Sequence, residues 1–379
     1  MKILSVFGTR PEAVKMAPIV QLLKQTPNIE ARVCVTAQHR QMLDQVLELF
    51  EIKPDYDLDL MRGGQTMAQI SAGIFTHLDP ILADFNPDWV LAVGDTTTVV
   101  TTSLLAFYRK IKFGHIEAGL RTHNKWHPFP EEINRRLATV TADLHFAPTS
   151  WSQGNLLHEG IEAEKIFVTG NSVIDALNYV AHQDEPKEIT ELLNKLGIQD
   201  QATTRPTTKR LILVTAHRRE NFGQGMENIC LALKEIAERE DVEIVYPVHL
   251  NPNVQEPVNR ILKGVKHITL LPPQDYLPMV HLMKRSTLIL TDSGGIQEEA
   301  PTFGIPVLVM RETTERPEGI EAGILKLVGT ETRRIVQEAK RLLDDPSEYA
   351  KMAKAANPYG DGHAAERIIN ALINAPDQS

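Results

Sequence analysis

A chain of 379 residues is longer than one hydrophobic core ordinarily serves, and it suits two α/β domains. With 42% hydrophobic and 23% charged residues it belongs with folded globular chains, and a formal net charge of −9 argues against a general nucleic-acid binder. The only two cysteines, Cys34 and Cys230, lie in apolar patterns, which predicts reduced core thiols and no zinc or other metal site.

The opening stretch, MKILSVFGTRPE, has too short an apolar run for a signal peptide. No later run is long enough to span a bilayer, so a cytoplasmic protein without a membrane partner is expected. Short apolar strands alternate with amphipathic helices from end to end, the pattern of βαβ units and parallel sheets. Strands are predicted at 3–7, 32–36, 89–93, 112–116, 144–147 and 166–169, with helices at about 11–24, 40–50, to 85, from the stretch 94–98 to 110 and from 131. From about 173 to 209 the pattern is helical, then polar and Thr-rich, and marks the domain junction. Strands at 211–215, 243–248, 268–271, 288–290 and 307–309, with helices at 226–239, 254–262 and from 296, repeat the theme. A last helix is predicted at 363–374. The fold class predicted is α/β, with two doubly wound domains facing a cleft and ligands outside the carboxyl ends of the strands.

Several stretches carry chemistry. In LILTDSGGIQEE at 288–299, an apolar strand runs into Ser293-Gly294-Gly295 and then a helix. Glycines at such a turn let backbone N–H groups approach an anion, Ser293 adds a hydroxyl, and a Glu in the next turn can accept from ribose hydroxyls. The ordinary alternative, a Gly-rich αβ turn with no ligand, is equally compatible with the stretch alone. Arg10 follows the first strand and Lys15 lies one turn into the next helix; cations there suit a diphosphate, or simply a solvated helix start. His217, in AHRREN, is either an acid or phosphate ligand or a satisfied strand-end histidine, and His249 is a weaker candidate of the same kind. Arg316 either reaches a phosphate or ribose or pairs with Glu315 or Glu318.

Three carboxylates stand apart. Asp95 and Glu117 follow successive strands and should project from one sheet edge; Glu131 starts a helix after a loop that can fold back over it. Acids converging in a cleft suit proton transfer at neutral pH. The alternatives are an N-cap for Asp95, a first-turn acid for Glu131, and an ion pair with Arg121 or His115 for Glu117.

The motifs FGTRPE (7–12), TAQHRQML (36–43), GDTTT (94–98), GHIEAGLRT (114–122), FPEEINR (129–135), TAHRREN (215–221), YPVHLNPNV (246–254), LTDSGGIQEEAP (290–301), TTERPEG (313–319) and NPYGDG (357–362) occur in this order. Together they resemble the bacterial non-hydrolysing UDP-N-acetylglucosamine 2-epimerases over essentially the whole chain. The resemblance implies two Rossmann-like domains of the glycosyltransferase-B type. The N-terminal domain would span 1–172, with 363–379 packed back on it, and the UDP-binding domain 173–362. It also implies a homodimer, UDP-sugar substrates, and a role in surface polysaccharide synthesis. Carried over by motif, UDP is held by Arg10, Lys15, Ser293, Gly294, Gly295, Glu299 and Arg316, with Gln274 and Met279 flanking uracil. The catalytic residues fall on Asp95, Glu117 and Glu131, with His217 near the phosphates. A second UDP-N-acetylglucosamine, as activator, would meet Gln38, His39 and Gln41.

Inverting C2 of such a sugar removes a hydrogen that no carbonyl activates. No G-x-G-x-x-G fingerprint follows a strand, so no nicotinamide cofactor is expected. Elimination of UDP to 2-acetamidoglucal, then re-addition, explains why cations and carboxylates are both needed. The order in which the carboxylates act does not follow from sequence. A glycosyltransferase of the same fold and a non-catalytic nucleotide-sugar sensor are the alternatives.

Overall fold

The computed structural model describes residues 1–36, 40–60, 62–198 and 209–375. It divides into two compact units, Met1–Asn178 with Tyr359–Ser379, and Tyr179–Pro358. The first holds strands β1 (Lys2–Phe7), β2 (Glu30–Val35), β3 (Tyr56–Asp57), β4 (Trp89–Val93), β5 (Lys112–Ile116), β6 (Leu144–Ala147) and β7 (Ile166–Val168). The second holds β8 (Arg210–Thr215), β9 (Val242–Pro247), β10 (Ile268–Leu271), β11 (Leu288–Thr291), β12 (Val307–Val309) and β13 (Leu325–Leu327).

Each unit is built on one sheet, ordered β3-β2-β1-β4-β5-β6-β7 in the first and β10-β9-β8-β11-β12-β13 in the second. Every described strand pair is parallel. Both are doubly wound Rossmann-like sheets whose order reverses beside the first strand of the unit, where ligands of such folds bind. The strands are nearly continuous apolar runs because helices cover both faces: Trp89–Val93 is buried throughout. Cys34 and Cys230 are buried free thiols, and burial pushes both pKa values up to about 12.

Local sequence explains the ends of the elements that matter. The helix Arg10–Gln25 starts with a capping box: Thr9 Oγ1 accepts from Glu12 N, and Glu12 Oε2 accepts from Thr9 N at 2.7 Å and Gly8 N at 2.8 Å. The last helix, Ala364–Ile373, begins where Asp175 accepts from the backbone N–H groups of Ala364 and Ala365, and it packs on Arg10–Gln25. Periodicity did not locate β3, β13 or the helices Ser150–His158, Tyr276–Arg285, Pro317–Glu321, Thr332–Asp344 and Pro346–Ala353. β3 is only two residues long and β13 only three, too short for a period to show. The helix expected from 296 starts at Gly294, two residues earlier, because its first turn is glycine and carries no apolar period.

Candidate active site

In the first unit, register sets the site. Val93 of β4 pairs with Ile116 of β5, so Asp95 and Glu117 leave the same carboxyl edge. Glu117 is buried, and its φ of +62° lies in the left-handed region that a non-glycine residue adopts only at a conformational penalty. Lys15 Nζ donates to Glu117 Oε1, and Asn171 Nδ2 donates to the same oxygen at 3.0 Å. Arg121 makes a bidentate pair with Glu159, at 2.8 Å for both contacts. His115 Nε2 donates to the Gly94 carbonyl at 2.7 Å. Burial holds the pKa of His115 at about 4, so its ring is neutral and its tautomer is set by that carbonyl.

Asp95 is held from the helix Glu131–Thr141. Arg135 Nη2 and Nε reach Asp95 Oδ2 at 2.7 and 2.9 Å, and Asn134 Nδ2 donates to the Asp95 carbonyl at 2.8 Å. The N-cap alternative for Asp95 fails: the cap position of the next helix is Thr96, whose hydroxyl donates to Glu12 Oε1. The neighbouring acids of the PEE stretch have different roles. Glu132 is fully buried and accepts from Thr122 N and His123 N, both at 3.0 Å, while pairing with Arg135. Glu131 is half-buried and has no side-chain partner among the described residues. Arg10 is likewise half-buried, at the start of its helix.

The second unit repeats the logic. Thr215 of β8 pairs with Thr291 of β11, so His217 and Ser293 leave the sheet side by side. Asp292, fully buried, accepts from His217 N at 2.9 Å, Arg218 N at 2.8 Å and Asn221 Nδ2 at 3.0 Å. It therefore shapes the His217 turn rather than meeting a ligand. Burial lowers the His217 pKa from its ordinary value, and Arg218 and His249 add to this against the pull of Asp292. The rings of His217 and His249 stack with centroids 5.4 Å apart. Asn251 N donates to His249 Nδ1, leaving the His249 proton on Nε2.

Ser293 caps the helix Gly294–Glu299 by position, yet its hydroxyl makes no capping hydrogen bond. Gly294 has a steric reason to be glycine. A Cβ there would meet the Arg316 guanidinium at 2.6 Å, so Arg316 lies flat against the turn. Arg316 Nε donates to Glu298 Oε1 at 2.6 Å, and Glu315 lies at 3.6 Å from Nη1. Tyr276 OH donates to Glu299 Oε1 at 2.7 Å and orients it. Gly295 is exposed, and Gln274 and Met279 are half-buried. Gln274 donates to the Pro272 carbonyl, and Met279 sits in the helix Tyr276–Arg285. Gln38, His39 and the side chain of Gln41 lie outside the described residues.

Sequence reading did not single out Asn171, Arg135, Asp292 or Arg311. Arg311 joins Glu220 to Glu315 and so ties the His217 loop to the Arg316 loop. Arg135 could have been found from its place one turn into the helix that starts at Glu131; Asn171 lies after a short strand with no motif around it.

Two Rossmann-like units, one carrying clustered carboxylates and the other a Ser-Gly-Gly turn backed by arginine, define a nucleotide-sugar enzyme of the glycosyltransferase-B fold. The chain belongs to the UDP-N-acetylglucosamine 2-epimerase family, whose profile matches residues 21–373. It is 59% identical over 373 residues to the UDP-N-acetylglucosamine 2-epimerase of Salmonella typhimurium, covering 98% of each chain. It is 57% identical over 377 residues to that of Escherichia coli, covering 99% of each. The crystal structure of the Neisseria meningitidis UDP-GlcNAc 2-epimerase bound to UDP-GlcNAc superposes with a TM-score of 0.87 at 51% identity, covering 98% of this chain and 100% of that one. Among the described residues no helix is long and apolar enough to cross a membrane.

Proposed function

We propose that this chain interconverts UDP-N-acetylglucosamine and UDP-N-acetylmannosamine by eliminating and re-adding UDP, supplying a precursor for surface polysaccharide. The observation that carries the reading is the Lys15–Glu117 pair at the same sheet edge as Asp95: a cation suited to a leaving phosphate holds an acid suited to a proton transfer. Family membership supports it. The second unit carries the nucleotide anchor. Ser293, Gly294, Gly295 and Arg316 take the diphosphate, Glu299 the ribose, and Gln274 and Met279 flank the uracil. His217, neutral in the free protein, offers a hydrogen bond to phosphate oxygen. Arg10 and Lys15 stabilise the departing charge.

The step balances without a cofactor. A carboxylate takes the C2 proton as the C1–O bond breaks, giving 2-acetamidoglucal and UDP. UDP oxygen then re-forms the bond to C1 while a second carboxylic acid returns a proton to the opposite face of C2. Asp95, Glu117 and Glu131 are the groups available for these two roles. Proton NMR with UDP-N-acetylglucosamine in D2O tests the scheme. UDP-N-acetylmannosamine carrying deuterium at C2 is expected; retention of the original hydrogen removes the carboxylates from their roles. The glycosyltransferase reading is not favoured, and turnover without an acceptor separates the two.

We also infer a homodimer. The helix Glu131–Thr141 presents Ile133, Leu137 and Val140, one helical stripe, to solvent, with Val140 82% exposed. The helix Thr97–Tyr108 packs against it and ends in exposed Phe107 and Tyr108. Such a face suits a second copy. Sedimentation at micromolar concentration should give twice the chain mass, and Leu137→Glu with Val140→Glu should give a monomer.

A further inference from the structure

Glu117 Oε1 is held by Lys15 and by one residue outside every motif, Asn171. Asn171 is buried just after β7. Its backbone N–H donates to the Tyr359 carbonyl at 2.6 Å. A Cβ on Gly170 would lie 3.2 Å from the Gly360 Cα, so the two segments touch backbone to backbone. The Asn171 main chain is thereby pinned to the returning C-terminal segment. Its side chain is pinned as well. Oδ1 accepts from Val173 N at 3.1 Å. A backbone N–H only donates, so the amide oxygen must face Val173 and the amide nitrogen must face Glu117.

That nitrogen meets Glu117 Oε1 at 3.0 Å, and Lys15 Nζ donates to the same oxygen. Oε1 thus receives two donors. Oε2 lies toward the Gly94 turn, where a Cβ on Gly94 would sit 3.4 Å from it. An amide is the one side chain suited to this task. It does not titrate, and its donor end cannot become an acceptor once Val173 has taken the oxygen. A water or a hydroxyl could turn round and accept the proton; Asn171 cannot.

We propose that Asn171 is a positioning residue for the epimerisation: with Lys15 it holds Oε1 of Glu117 and so fixes the orientation and charge of the carboxylate that exchanges the substrate proton. This rests on the reading of Glu117 as a proton-transfer group. The left-handed backbone at Glu117 aims the side chain, and the two donors set its final torsion.

The test compares pH profiles of kcat, UDP affinity and thermal midpoint for the unaltered protein, Asn171→Asp, Asn171→Ser and Glu117→Gln. Asn171→Asp keeps the acceptor for Val173 and puts a second carboxylate against Oε1. It is expected to lower kcat by about 100-fold and to move the acidic limb of the profile up by about one pH unit, because a lost donor and a like charge both disfavour the carboxylate form. Asn171→Ser should lower kcat by about tenfold with a smaller upward shift. UDP affinity should stay within about twofold in both, since neither change touches the nucleotide anchor. The serine variant keeps the test decisive if the aspartate variant does not fold. Folded Asn171 variants whose kcat and acidic limb match the unaltered protein, while Glu117→Gln is inactive, overturn the proposal and leave the role of Glu117 standing. Near-normal turnover in Glu117→Gln overturns both. A fall in thermal midpoint with an unmoved acidic limb makes Asn171 a fold residue only, and overturns the proposal too.

Discussion

Lys15 Nζ and Glu117 Oε1, 102 residues apart in the chain, are joined in a largely buried ion pair at the carboxyl edge of the first sheet. In the proposed elimination the pair links the two halves of the step. An ammonium has three donors, so Lys15 can hold Glu117 and still meet a phosphate oxygen. In that scheme, as the C1–O bond breaks, negative charge grows on the diphosphate beside the cation that also holds the acid.

The first prediction concerns that cation. Lys15→Met leaves a buried carboxylate without its cation, and should lower kcat by about 100-fold or more. It should weaken UDP binding by about tenfold. Lys15→Arg should not restore the rate, since a planar fork does not reproduce a point charge between two anions. Steady-state kinetics with calorimetric UDP titration separates the two effects, and full activity in Lys15→Met would remove the cation from the mechanism.

The second concerns the acids. Asp95→Asn and Glu131→Gln should each lower turnover by two or more orders of magnitude, roughly the contribution of a general acid or base, with UDP affinity nearly intact. Asp95→Asn also loses an ion pair to Arg135, so its thermal midpoint should fall, whereas Glu131→Gln should leave the midpoint unchanged. Near-normal rates in either variant exclude that residue.

The third concerns the anchor. Gly294→Ala places a methyl where Arg316 now lies, 2.6 Å from its guanidinium. The side chain must move, breaking its 2.6 Å contact with Glu298. UDP affinity should fall by about 10- to 100-fold, the worth of one charge-assisted contact. Helix and fold should persist, because alanine is the better helix former. Unchanged UDP affinity would show that Arg316 does not meet the phosphates.

The fourth concerns pH. His115 and His145, paired across β5 and β6, are both fully buried. Burial holds their pKa values at about 4 and about 3, below the ordinary 6.5, with His115 and Arg121 adding to the shift at His145. Neither ring nitrogen of His145 has a hydrogen-bond partner among the described residues. Above the ordinary value both rings are neutral, folded or unfolded, and the histidines add no pH dependence. Below it the unfolded chain takes up protons that the native rings refuse. Stability is then lost as pH falls from about 6.5, by up to roughly 1.4 kcal/mol per unit for each ring, until the native rings titrate. Urea midpoints should drop between pH 7 and pH 5 at constant slope. His145→Leu should flatten that drop while leaving stability near pH 8 little changed; an equally steep drop in the variant would clear His145 of the effect.

The sequence by itself determined the βαβ order, most strand limits to within a residue or two, and which charged residues stand at strand ends. Asp95, Glu117, His217 and Ser293 were legible there because buried parallel strands are short apolar runs, and a polar residue directly after one marks the carboxyl edge of a sheet. Tertiary structure alone decided how those residues are held. The order reversal beside β1 brings the helix that carries Lys15 to the end of β5, and no local pattern encodes a meeting across 102 residues. The same holds for Asn171 against Glu117, 54 apart, and for Arg316 laid on Gly294. It also separated Glu131 from Glu132, adjacent and chemically alike, because the turn of the helix buries one under Arg135 and leaves the other half in solvent. Local sequence sets which groups leave each strand, through propensity and periodicity. Partners are set by strand order and packing, which depend on the whole chain at once.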